Sequence, residues 1–130
     1  MIVHSSALVA ILRNEPDADR YAGALARSEH PLMSAANWLE AALVVDSARD
    51  PVASRRFDDL IETAGIAIAP VTAAQAVIAR RAYRDFGKGN GSPARLNFGD
   101  SFAYALAAGA RSALLYKGND FVHTDLTAAG

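Results

Sequence analysis

Short runs of contiguous apolar residues alternate along this chain with longer segments whose apolar positions recur every three or four residues, so strands and helices are predicted to alternate. "MIVH" (residues 1–4) reads as a strand, and "SSALVAIL" as a helix that Ser5 or Ser6 can cap. Pro16 suits the first turn of a helix over "PDADRYAGALARS". "PLMS" reads as a second strand. Ser34 is placed to cap the helix "AANWLEAALVVDSA", in which Leu39, Ala42, Leu43 and Asp46 keep the helical spacing. Pro51 opens a further helix to about Thr63, which Gly65 ends. "IAIAPV" is short and nearly all apolar, as buried parallel strands are, and Thr72 can cap "AAQAVIARRAYRDF". After the Gly-rich loop "GKGNGSPARLN" come a small-residue helix, "GDSFAYALAAGA", a fourth strand, "ALLY", and a short fifth at "TDL". Alternating strands and helices predict an α/β fold with a parallel sheet covered on both faces.

Composition narrows the classes. With 130 residues the chain is expected to form one domain with a real core. Apolar residues are 52% and charged residues 21%, which argues against disorder. Thirteen basic and 14 acidic residues give a net charge of −1, so any nucleic-acid contact has to come from a local basic patch. There is no cysteine, which excludes disulfides, thiol catalysis and Cys-based zinc sites and fits a reducing cytoplasm. No basic segment precedes the first apolar run, and no apolar stretch approaches about 18–20 residues, so neither a signal peptide nor a membrane span is expected.

Parallel α/β sheets carry their sites at the carboxyl ends of the strands, and acids are predicted to gather there. Glu40 lies early in the helix after the second strand, Asp100 in the first turn of "GDSFAYALA", and Asp120 and Asp125 after the fourth strand. His4 and Ser6 stand at the end of the first. Taken singly, each acid has an ordinary reading as a helix cap, a solvated face or a turn residue. Together at one rim they repel, and a divalent cation with oxygen ligands, Mg²⁺ or Mn²⁺, resolves that conflict and can polarise a phosphate.

Four stretches carry a family resemblance: "IVHSSALVAIL", "SAANWLEAALVV", "ARLNFGDSFAYALA" and "LLYKGNDFVHTDL". In order and spacing they resemble the PIN-domain ribonucleases, more narrowly the VapC-type toxins of bacterial toxin–antitoxin pairs. The resemblance implies a three-layer α/β/α sandwich around a central parallel sheet over residues 1–130. It also implies Mg²⁺- or Mn²⁺-dependent endonucleolytic cleavage of RNA, a homodimer, and a VapB-like protein antitoxin that blocks the site. By position, the acidic cluster would be Glu40, Asp100 and Asp120, with Ser6 supporting the first position and Asn119 and Asp125 as neighbours.

His4 departs from the pattern, which has aspartate there. An imidazole removes one negative charge from the cluster and offers nitrogen in place of a hard oxygen, which Mg²⁺ accepts poorly. The chain is therefore expected to bind Mg²⁺ weakly and to cleave RNA poorly or not at all. The histidine can be an introduced or selected inactivation, a natural change that leaves a binding protein, or a retuning towards Mn²⁺, Zn²⁺ or Ni²⁺; inactivation is favoured. Without the resemblance, a strand-end histidine bonded to a backbone carbonyl would be preferred.

Arg80, Arg81, Arg84, Lys88 and Arg95 concentrate in one helix and loop. With Lys117 they can guide an RNA backbone to the acidic rim, or simply form a solvated face. "GKGNG" follows no strand and lacks the GxxxxGK[ST] spacing, so it is read as a loop beside the site. Trp38, Phe57, Phe98, Phe102 and Tyr104 are read as core or dimer contacts, His30 and His123 as surface residues, and Ser101 as a first-turn residue. Two function classes stay open: a metal-dependent ribonuclease toxin or its disabled form, and a non-catalytic module that binds an antitoxin. A receiver-like signalling domain is set aside, because "IAIAPV" ends without an acid.

Overall fold

The computed structural model describes all residues, Met1–Gly130. Four short parallel strands form one sheet: β1 (Ile2–Val3), β2 (Leu32–Ser34), β3 (Ala67–Ala69) and β4 (Leu114–Leu115), in the order β3-β2-β1-β4. Ile2 is in register with both Leu32 and Leu114, and Met33 with Ile68. Helices α1 (Ser5–Leu12), α2 (Ala18–Arg27), α3 (Ala35–Asp46), α4 (Pro51–Ala64), α5 (Ala73–Phe86) and α6 (Phe98–Ala110) fill the connections.

The period-two alternation of strand side chains sorts the core into two layers. Val3, Met33 and Leu115 point into a cluster with Ala7 and Leu8 of α1, Tyr21 and Leu25 of α2, Ala41 of α3 and Phe57 of α4. Ile2 and Leu114 point the other way, against Ala82 of α5, Ala103 and Ala107 of α6, and Phe121. This is the expected three-layer α/β/α sandwich.

Local chemistry fixes most helix ends. The side chains of Ser34, Asp50 and Thr72 accept from Ala36, Val52 and Gln75 N–H, each such cap contributing about 1 kcal/mol. Gly65 closes α4 at φ 67°, a left-handed conformation that glycine adopts without a Cβ clash.

Some expectations are corrected. The α1 cap is His4 rather than Ser5 or Ser6: its imidazole Nδ1 accepts from Ser6 N–H. Helix α2 begins at Ala18, so Pro16 precedes it. Strand β3 lies at the sheet edge with Ala67 and Ile68 exposed, so its apolar run does not mark a buried strand. "TDL" forms a turn; the chain pairs with β4 slightly later, Leu114 N–H donating to Thr127 O and Ala129 N–H to Leu114 O. Of the two readings of Phe98, core or dimer contact, its 76% exposure removes the first.

The strand order creates one topological switch point. From β1 the chain moves outward through β2 to β3, then returns past β1 to place β4 on its other side. The carboxyl ends of β1 and β4 therefore diverge into a crevice, the place where such sheets bind ligands. Phe57, 2% exposed, ties α4 into the core with Trp38 at 6.5 Å. Phe57→Ala is expected to lower stability by about 3–5 kcal/mol, read as a shift of the urea midpoint with little change in slope.

Candidate active site

Asp100 is the centre of the crevice. It stands at the third position of α6, where Asn97 and Asp100 form a reciprocal capping box. Asp100 N–H donates to Asn97 Oδ1 at 2.8 Å, and Asn97 N–H to Asp100 Oδ2 at 3.1 Å. The residue is 2% exposed. Its other oxygen, Oδ1, lies 3.0 Å from His4 Nε2. That approach is off the line of the N–H bond, leaving Nε2 without an aligned hydrogen-bond partner.

His4 is 8% exposed and held on every side. The Phe121 ring meets it edge-on at 5.2 Å. Because Ser6 N–H donates to Nδ1, that nitrogen is the acceptor, and Nε2 carries the proton that faces Asp100. Ser6 Oγ lies 2.8 Å from Nδ1 and accepts from Lys117 N–H at 2.9 Å. A chain of polar groups thus runs from β4's end through Ser6 and His4 to Asp100.

Asp120, on the exposed turn after β4, lies close enough to Asp100 for each carboxyl to perturb the other. Burial alone would raise the Asp100 carboxyl; the close approach of the His4 imidazole, the neighbouring Asp120 and the hydrogen bond from Asn97 N–H outweigh it and hold Asp100 below its ordinary 3.8. Partial burial and the Asp100 charge push Asp120 up to about 6, against the opposing pull of His4 and Lys88.

Glu40 stands slightly apart. Ser5 Oγ donates to its Oε1 at 2.8 Å, and Asn37 Nδ2 lies 3.5 Å away while donating to Gly99 O at 2.9 Å. The carboxylate packs so closely on Gly99 that a Cβ there would collide with it. Glu40 thereby reaches the residue next to Asp100, across from α3 to α6. Of the carboxylates, Asp120 lies nearest in influence to Asp100, and Glu40 is bonded elsewhere.

The donor set fits a hard divalent cation only in part. The two paired aspartates supply oxygens, but no three of the chain's Asp, Glu and His side chains are close enough to hold one ion together. The group nearest Asp100 Oδ1 is a proton-bearing imidazole nitrogen. As it stands, the set does not fit Mg²⁺.

The other sequence-derived candidates divide. Arg80, Arg81, Arg84, Lys88 and Arg95 are all exposed along α5 and the loop after it, and Lys88 is near enough to act on Asp120. Lys117 Nζ is engaged by Glu15 at 2.8 Å and Asp17 at 2.9 Å. Asp125 accepts from Tyr104 rather than joining Asp100. Ser101 Oγ donates to Phe98 O, as a first-turn serine does. His30 and His123 are exposed. Sequence reasoning missed Asn37 and Asn97, and, for Tyr104, which it read as a core or dimer contact, the bond to Asp125. The N-x-x-D spacing of residues 97–100 is a readable capping signal, and N-x-x-E of residues 37–40 puts both side chains on one helix face.

Comparison with known proteins agrees with the parallel α/β fold. The PIN-domain family model matches residues 1–126. A VapC ribonuclease of Mycobacterium bovis, Mb0625, is 56% identical over 129 residues, covering 99% of this chain and 97% of its own length. Ribonuclease VapC42 of Mycobacterium tuberculosis is 45% identical over 129 residues, covering 99% and 98%. The crystal structure of Mycobacterium tuberculosis VapC20, described as a sarcin–ricin loop cleaving toxin, superimposes with a TM-score of 0.75 at 13% identity over 97% of this chain and 95% of that one, a likeness of fold. The chain belongs to the PIN-domain family, among its VapC-type ribonucleases of toxin–antitoxin systems. No helix is long and apolar enough to cross a membrane.

The Asp100–Asp120 pair carries a pH dependence. Between about 4 and 6 the folded state binds more protons at Asp120 than the unfolded chain does, so this group's contribution to stability falls as pH rises through that window. Asp120→Asn is therefore expected to melt higher than the parent at pH 7, the difference shrinking towards pH 4. A difference that grew on acidification would contradict the placement of the pair.

Proposed function

We propose that this chain is a single-domain, cytoplasmic endoribonuclease toxin of a type II toxin–antitoxin pair whose catalytic centre is impaired by His4. The observation that carries this reading is the buried Asp100 at the switch point, with Asp120 beside its carboxylate and the His4 imidazole against Oδ1. Glu40, Asp100 and Asp120 would hold Mg²⁺ or Mn²⁺ only with a carboxylate at the position of His4 and with Glu40 released from Ser5 towards the two aspartates; an ion so held would polarise the scissile phosphate. Ser6 supports that position from α1, as its hydrogen bonds to Nδ1 indicate.

The exposed arginines of α5, with Lys88 and Arg95, are suited to track an RNA backbone towards the acidic pair. Lys117, already paired with Glu15 and Asp17, contributes less to such a surface.

A homodimer is supported by an apolar face that nothing in the single chain covers. Leu39, Leu43 and Phe98 are 50%, 60% and 76% exposed, and two neighbouring clefts share Phe98 and Phe102. A VapB-like antitoxin is the protein partner that the family membership suggests. The second reading is a non-catalytic module that binds such an antitoxin without cutting RNA, and the His4–Asp100 contact specifically favours it.

Cleavage of RNA in Mg²⁺ and in Mn²⁺ separates the readings, comparing this chain with His4→Asp. The expected outcome is cleavage by the variant alone, with a gain of at least about 10²-fold, the size typical of restoring a charge-stabilising group. Equal cleavage by both proteins would place His4 outside the chemistry, and no cleavage by either would favour the binding module.

A further inference from the structure

Asp120 sits on an exposed turn with few fixings of its own. Between Lys117, whose N–H donates to Ser6 Oγ, and the backbone pairing at Thr127, the backbone makes only local turn bonds, such as Thr124 N–H to Phe121 O. Two side chains fasten it. Phe121 is 2% exposed, wedged at 5.2 Å from both the His4 and Tyr116 rings. At the far end, Tyr104 OH donates to Asp125 Oδ1 at 2.5 Å.

Tyr104 is one helical turn beyond Asp100, so both project from the same face of α6. Asp120 lies beside Asp100 and Tyr104 donates to Asp125, and of these two contacts the Tyr104 hydrogen bond is the one that holds the turn against the helix. Tyr104 is 7% exposed and its ring packs on Phe86 at 5.8 Å, which fixes where its hydroxyl can reach. Asp125 itself is exposed; the tyrosine is the only side chain that hydrogen-bonds its carboxylate.

We infer that Tyr104 is a positioning residue: its hydroxyl holds Asp125 and so fixes the turn that carries Asp120 against Asp100. Asp125 is the catch of this latch and not a member of the acidic centre. The inference rests on the reading of Asp100 and Asp120 as reacting groups, but the latch can be measured without it.

The test uses Tyr104→Phe, Asp125→Ala and Asp125→Asn. Tyr104→Phe keeps the ring on Phe86, so the core is preserved. Amide hydrogen exchange on the chain as written reads the latch directly: Tyr104→Phe and Asp125→Ala should speed exchange across residues 119–125 and leave β1 and β2 unchanged. In the His4→Asp background, RNA cleavage reads the consequence. Tyr104→Phe should lower kcat by about tenfold or more with KM little altered, as misplacement of a reacting group does. Asp125→Asn, whose amide oxygen still accepts from the phenol, should stay close to the parent.

Unchanged exchange in Tyr104→Phe overturns the latch. So does a loss in Asp125→Asn as deep as in Asp125→Ala, since that would make the carboxylate itself necessary. A rise in KM with kcat intact also overturns it, because Tyr104 would then be contacting RNA. If the His4→Asp protein does not cleave RNA, the ribonuclease reading fails alone, and the exchange data still decide the latch.

Discussion

A carboxylate withdrawn from water has to be compensated where it lies, and Asp100 imposes that requirement on everything around it. Each of its partners comes from a different part of the chain: the Asn97 backbone from α6's own start, His4 from the end of β1, Asp120 from the turn after β4. Bringing these together requires β1 and β4 to lie side by side and α6 to begin at their carboxyl ends, which the strand order provides. The same crowding explains the unequal ionisation of the pair. Asp100, with more donors, keeps its charge, and Asp120, with fewer, yields.

Much of this architecture is legible from local chemistry. Ser34, Thr72, Pro51 and Gly65 announce their helix ends because capping, a ring-fixed φ and a left-handed glycine act within a few residues. The acids' arrival at one rim follows from strands alternating with helices. What local chemistry does not carry is which groups touch. A common rim groups Glu40 with Asp100 and Asp120; its bonds to Ser5 and Asn37 depend on how α1 and α3 pack. Asp125 and Tyr104 are 21 residues apart, and nothing in either neighbourhood signals the other. The apolar run of β3 suggests burial, whereas strand order leaves it at the edge, a property of the whole sheet.

His4 is built into the fold through both of its ring nitrogens. The position asks for two things at once: an acceptor for Ser6 N–H at the start of α1 and a group facing Asp100. Imidazole meets both, one with each nitrogen. Nδ1 takes the place of a capping oxygen, and Nε2–H presents a donor towards the buried carboxylate where a second carboxylate would repel it. With histidine there the helix start is capped, and Asp100 faces a nitrogen rather than an oxygen.

The short outer strand has a different consequence. β3 spans only three residues, Ala67–Ala69, with two of them exposed, and Pro70 follows at once. An uncovered sheet edge invites another chain to add its own strand, but addition needs a run of free donors and acceptors in a straight line. Proline has no N–H to offer and ends that run. The sheet is thus closed to growth on its open side by brevity and by one imino acid, so crowding these molecules together should bring contact through side chains rather than cross-β stacking.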